Sequence, residues 1–231
     1  SKGSMSTREA QQHRKPLEFS APLLWAELIA IFAVVPTALI FLRFYVNRTV
    51  IPAMILLSIV CIVYLVKDKG FDNSMLSAAS RFKKVWKGVL MRLVGGSALL
   101  AVVFWFVEPE RFLAFPKGAP TMYVIVLLLY PILSAFPQEV IFRSFFFHRY
   151  ERIMPDQRVM MLASAFAFAY AHAFLFNLVA PVLALVGGLI FSYTYVRSRS
   201  LFAATVEHAL WGNILFTIGV GWYFYGGSVN S

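Results

Sequence analysis

Apolar residues in this chain fall in long blocks, at about 21–42, 49–66, 89–107, 121–150, 157–173, 179–196 and 201–224. At ~1.5 Å per helical residue, each block can cross the ~30 Å hydrocarbon of a bilayer. The pattern predicts an all-α fold, a polytopic membrane helical bundle of about seven transmembrane helices. The fourth block is too long for one straight crossing. It carries Pro131 and Pro137, which predict a kink or break and a helix projecting beyond the hydrocarbon. Pro137 can also open a helix at that point. The segment 67–92 follows another rule. Met75, Ala79, Phe82, Trp86, Val89 and Leu93 recur at three- and four-residue steps, while Arg81, Lys83, Lys84, Lys87 and Arg92 take the other face. That spacing predicts one basic amphipathic interfacial helix lying in the headgroup plane. Gly187-Gly188 in the sixth block predicts close helix contact.

Composition narrows the class. The 231 residues are 60% hydrophobic with a mean hydropathy of +0.72, and only 14% are charged. Soluble domains carry about a quarter charged residues, so a soluble enzyme is excluded. The net charge of +10 suggests cationic loops rather than a nucleic-acid partner, because no basic residues interleave with aromatics on a soluble face. Lys and Arg gather in the lead (Arg8, Arg14, Lys15), in 67–88, after the fourth block (Arg149, Arg152, Arg158) and after the sixth (Arg197, Arg199). The alternate loops are equal or poorer. This asymmetry predicts a multi-pass protein of the cell inner (plasma) membrane with a cytoplasmic N-terminus and an outside C-terminus. Membrane lipids are then its surroundings.

The organisation reads as a lead at 1–20, whose leading Ser-Lys-Gly-Ser looks like a tag remnant before Met5, and a single transmembrane domain at 21–231. No cleavable signal peptide is evident. Cys61 is alone in an apolar run, with no internal disulfide partner and no Cys cluster for metal. No internal repeat is present, which counts against a small transporter.

Chemistry enters at residues 134–143, where Gln138, Glu139 and Arg143 interrupt an apolar block. Ionisable groups in hydrocarbon cost several kcal/mol and usually face a cavity and a partner, so they mark function. Glu139 and Arg143 are four apart and share one helix face. His172 closes the fifth block, with Phe168 and Ser164 at four-residue steps before it. The seventh carries Glu207, His208, Gly212 and Asn213. Gly212 is one turn beyond His208 and leaves space over the imidazole face. Glu207 points in a neighbouring direction, either orienting an imidazole or pairing with a basic group elsewhere. His148 and Tyr150 are expected at the interface. One carboxylate, two imidazoles, an amide and a guanidinium can hydrolyse an amide bond with activated water. The same His172, His208 and Glu139 could instead hold a divalent metal. No His-Glu-x-x-His is present, and the expectation is a site without metal.

These residues resemble the CAAX-protease and bacteriocin-processing family of intramembrane proteases, also called the abortive-infection family. Its motifs are Glu-Glu-x-x-x-Arg, Phe-x-x-x-His and His-x-x-x-Asn. Here they stand as Gln138-Glu139-Val140-Ile141-Phe142-Arg143, Phe168-Ala169-Tyr170-Ala171-His172 and His208-Ala209-Leu210-Trp211-Gly212-Asn213. The resemblance covers about 121–215, within a peptidase-like core at about 121–224. It implies a glutamate-dependent endopeptidase acting on a peptide or membrane-protein substrate. The first motif Glu and the motif-two His activate water, while the motif-three His and Asn steady the oxyanion. Two departures stand out. Gln138 replaces the first motif Glu, so either Glu139 takes the base role or hydrolysis is lost, by nature or by engineering. The alternative function is then a pseudoprotease, a peptide- or lipid-binding immunity factor. The third motif is one residue longer, so Gly212 stands where the family has Asn and Asn213 follows it. The long aromatic run after Arg143 and the compact size suggest a bacterial subgroup rather than a eukaryotic prenyl-protein enzyme.

Overall fold

The computed structural model describes residues 19–46 and 48–225. The lead up to residue 18, with its basic residues, lies outside the described residues. Seven helices are long and apolar enough to cross a membrane: α1 (Ala21–Val46), α2 (Val50–Lys67), α3 (Trp86–Val107), α4 (Pro120–Tyr150), α5 (Gln157–Leu175), α6 (Val179–Ser198) and α7 (Leu201–Ile218). No strand occurs among the described residues. The protein is therefore an all-α, multi-pass membrane bundle. Within the apolar stretch of each helix, the buried share is 11% in α3 and 44% in α7. So α7 is the inner helix, and the outward residues of the outer helices, such as Phe41, Leu56 and Phe106, are left for lipid.

Of the expected kink or break, α4 shows no break. It continues unbroken through both prolines by widening into π turns at Pro131–Ala135 and Val140–Phe145. The Phe136 N–H bonds the Pro131 carbonyl, and the Phe146 N–H bonds Ile141, each five residues back. Proline removes an ordinary i→i−4 bond, and the i→i+5 pattern carries the backbone past it. Pro137 thus sits inside the helix rather than opening one. All six residues of the second π turn are buried, so the stretch that carries the charges is also the most enclosed part of α4.

The expected amphipathic helix over 67–92 is corrected. It is two short pieces, Ser74–Ser77 and a 3-10 turn at Ala79–Lys84, and α3 begins at Trp86. The break has a long-range cause. The Ala78 carbonyl accepts from the Ser200 hydroxyl at 2.9 Å, and Arg81 donates to the Arg199 carbonyl at 2.8 Å. These bonds tie the segment to the α6–α7 junction and take a carbonyl that a continuous helix would use.

Two polar clamps hold the outer helices. Near the end of α4, Arg149 donates to both oxygens of Glu27 on α1, at 2.8 and 2.6 Å, and the Tyr150 hydroxyl adds a third bond at 3.1 Å. His148 meets Asp68, just past α2, at 2.9 Å. His148 and Tyr150 are thus each tied to a carboxylate on another segment. Burial pushes the Asp68 carboxyl up, but bonds from the Gly70 N–H, His148 and Tyr64 outweigh it and hold it below the usual range. Between α5 and α6 the contact is backbone-close. A Cβ at Gly188 would come within 2.9 Å of the Ala165 Cα, whereas Gly187 faces the Phe191 ring. Of the glycine pair, Gly188 makes the predicted helix contact.

Candidate active site

α4, α5, α6 and α7 converge on the Glu139 carboxylate. Its residue and Arg143 are both fully buried, at 0% exposure. The Arg143 Nε is 3.2 Å from Glu139 Oε2. That contact is an ion pair without hydrogen-bond alignment, since neither atom has a hydrogen bond. Arg143 instead donates from Nη1 to the Ser164 hydroxyl on α5 at 2.8 Å and to the Phe142 carbonyl at 3.2 Å. Ser164 in turn donates to the same Phe142 carbonyl at 2.6 Å. Its place on the stripe with Phe168 and His172 was legible from spacing. Its job of holding a guanidinium was not.

The other Glu139 oxygen, Oε1, lies 2.8 Å from His208 Nδ1. A carboxylate only accepts here, so Nδ1 carries the proton and Nε2 is the free nitrogen. His172 repeats the pattern. Its Nδ1 donates to the Phe168 carbonyl at 2.8 Å, again leaving Nε2. Phe168 stands between the two imidazoles, with ring centroids 4.7 Å from His172 and 5.5 Å from His208, both edge-to-face. The same ring lies 5.1 Å under the Arg143 guanidinium. Phe191 of α6 stacks on His208 at 4.5 Å and 13°. Sequence reasoning missed Phe191, because nothing in an apolar run separates one aromatic from another.

The remaining expected residues divide. Gln138 donates Nε2 to the Ser134 hydroxyl at 2.8 Å, and its buried Oε1 has no partner among the described residues. Glu207 is buried beside the site but turned away from it. Arg92 on α3 reaches it at 2.8 and 3.1 Å, and the Thr194 hydroxyl also donates to it. The open choice for Glu207 thus resolves as pairing with a distant basic group. Arg92 belongs to this clamp and not to an interfacial helix face. Asn213 is not brought to the imidazoles. Its Nδ2 donates to the Leu127 carbonyl at 3.2 Å, and its Oδ1 is buried without a partner. The space over Gly212 is filled by the side chain of Tyr130, another residue that the spacing did not single out. Among the described residues, no three His, Cys, Asp or Glu side chains are grouped as a metal would need.

The geometry offers a carboxylate neutralised by a buried arginine, an imidazole hydrogen-bonded to it, and a second imidazole one aromatic ring away. Such a set can take, hold and return a proton out of contact with bulk water. In comparisons with known proteins, residues 120–214 match the family model described as type II CAAX prenyl endopeptidase Rce1-like. No curated protein and no solved structure matches the chain.

Proposed function

Through residues 120–214 the chain belongs to the CAAX-protease family, and from that premise we propose that it is an intramembrane endopeptidase in which the Glu139–His208 pair handles the proton. The observation that carries this reading is the 2.8 Å bond from His208 Nδ1 to a carboxylate with no solvent exposure. Glu139 is shut off from water by Arg143 and His208, so it acts through the imidazole. A carboxylate behind Nδ1 fixes the tautomer and raises the basicity of Nε2.

In this reading His208 Nε2 takes a proton from water as the water oxygen bonds the scissile carbonyl carbon. His172 Nε2 accepts the other water proton in a hydrogen bond and orients the attack. The carbonyl oxygen becomes an oxyanion. When the C–N bond breaks, the imidazolium of His208 returns its proton to the leaving amine. The charge that appears on His208 is offset by Glu139, whose own charge Arg143 balances beforehand. Gln138 cannot act as a base, but its unpartnered Oε1 can accept a substrate N–H. The reading uses no metal. Membrane lipids surround the site, the N-terminus lies in the cytoplasm, and no nucleic acid takes part.

The proposed substrate is a membrane-proximal peptide carrying a prenylated cysteine near its C-terminus. Purified protein in liposomes, given one peptide with and without a farnesyl group, is expected to release a C-terminal fragment from the farnesylated form alone. Mass spectrometry reads the fragment. Equal release from both forms would contradict the prenyl preference, and release from neither would contradict the peptidase.

A second reading has its own observation. An amide at Gln138 stands where the family has its base, which favours a binding protein without turnover. The comparison of Gln138 with Glu at this position separates the two.

A further inference from the structure

The family's third motif puts Asn four residues after His, and in this chain that position is Gly212. Positions four apart lie one above the other on a helix, so Gly212 shares the face of α7 that presents His208. A glycine there leaves a hole where the family has an amide donor. The hole is filled from another helix. A Cβ at Gly212 would fall 2.5 Å from the hydroxyl oxygen of Tyr130 on α4, and closer still to its ring. The Tyr130 ring packs edge-to-face on His208, with centroids 6.1 Å apart, and on Phe216 at 5.4 Å. No hydrogen bond to a described residue engages the Tyr130 hydroxyl. Asn213 cannot serve instead, because its Nδ2 is bound to the Leu127 carbonyl.

The geometry points to Tyr130 as the catalytic hydrogen-bond donor to the oxyanion, a phenol from α4 standing in for the family's α7 asparagine. The assignment rests on the peptidase reading above. It accounts for two features together: the loss of a side chain at Gly212, and a tyrosine hydroxyl without a partner in an apolar helix. A phenol O–H is a donor suited to a developing oxyanion. Its ring, wedged between His208, Phe216 and the Gly212 backbone, is fixed before substrate arrives, so no reorganisation is needed when charge develops. The hydroxyl donates a hydrogen bond only; no bond to it forms or breaks.

The test uses Tyr130→Phe, which keeps the ring and removes the donor. Two probes are compared on the purified full chain: a farnesylated peptide and the same peptide with a phosphinate in place of the scissile amide. Tyr130→Phe is expected to lower kcat by about 10²-fold with KM unchanged. It is expected to lower phosphinate affinity by a similar factor, with no change in thermal unfolding. In Tyr130→Ala/Gly212→Asn, the amide enters the volume the phenol leaves, and turnover is expected to recover at least about tenfold over Tyr130→Ala. Undiminished turnover and phosphinate binding in Tyr130→Phe would overturn the assignment. If wild type binds the phosphinate more tightly than Tyr130→Phe but cleaves nothing, the peptidase reading fails, and Tyr130 is left as a hydrogen-bond donor to a bound ligand, which overturns its catalytic role.

Discussion

Arg143→Met is expected to destabilise the protein by about 3–5 kcal/mol, the range for removing one partner of a buried ion pair. The guanidinium and the Glu139 carboxylate both have 0% exposure, and the ion-pair distance is 3.2 Å. Without Arg143, Glu139 keeps only its bond to His208, and its charge is left in a low-dielectric interior. Ser164 and the Phe142 carbonyl also lose their Nη1 partner. Thermal unfolding in detergent, followed by tryptophan fluorescence, is the measurement. The double variant Glu139→Gln/Arg143→Met removes both charges and is expected to recover most of the loss, because buried pairs replaced together by neutral side chains are often near neutral. An unfolding midpoint in Arg143→Met equal to that of wild type would mean that Arg143 neither balances the Glu139 charge nor holds α4 to α5 through Ser164 as described.

His208→Asn is expected to act on the chemistry instead. An asparagine amide can still donate to Glu139 Oε1, so the buried charge keeps a partner. What is lost is Nε2 and its capacity to take a proton. Turnover of a farnesylated peptide is expected to fall by about 10²–10⁴-fold, the usual worth of a positioned general base, with little change in KM. The stack on Phe191 is also lost, so a modest drop in unfolding temperature accompanies the change. A kcat within threefold of wild type would contradict the assignment of His208 as the base.

Most of the architecture was legible because hydrocarbon imposes a simple rule. Every backbone polar group must be satisfied within the span, so long apolar blocks must be helices. Seven blocks gave seven helices within a few residues at most ends. Two of the departures come from bonds between residues far apart in the chain, and the third from local π turns. The segment at 67–92 has a helical period, yet Ser200 and Arg199 draw on Ala78 and Arg81 and divide it. Glu207 stands beside His208 in the sequence, but its partner Arg92 is 115 residues away. Pro131 and Pro137 promised a break, and the π turns absorbed it.

The candidate site shows the same division. Glu139, Arg143, Phe168 and His208 were singled out by charge and spacing, and they do meet. Spacing fixed which face of α7 holds His208. It could not say that Asn213 would be claimed by the Leu127 carbonyl, nor that the gap over Gly212 would be occupied by Tyr130. Both depend on how α4 sits against α7, and no periodicity within one helix encodes that.

The central claim is that the Glu139–His208 pair is the working base although an amide occupies position 138. The most direct test measures hydrolysis of one farnesylated peptide by wild type and by Gln138→Glu, side by side in the same liposomes. The account predicts that wild type cleaves the peptide and that Gln138→Glu changes its kcat by less than about tenfold, below the usual worth of a general base. Inert wild type with active Gln138→Glu would contradict it, and would make this chain a peptidase scaffold without its base.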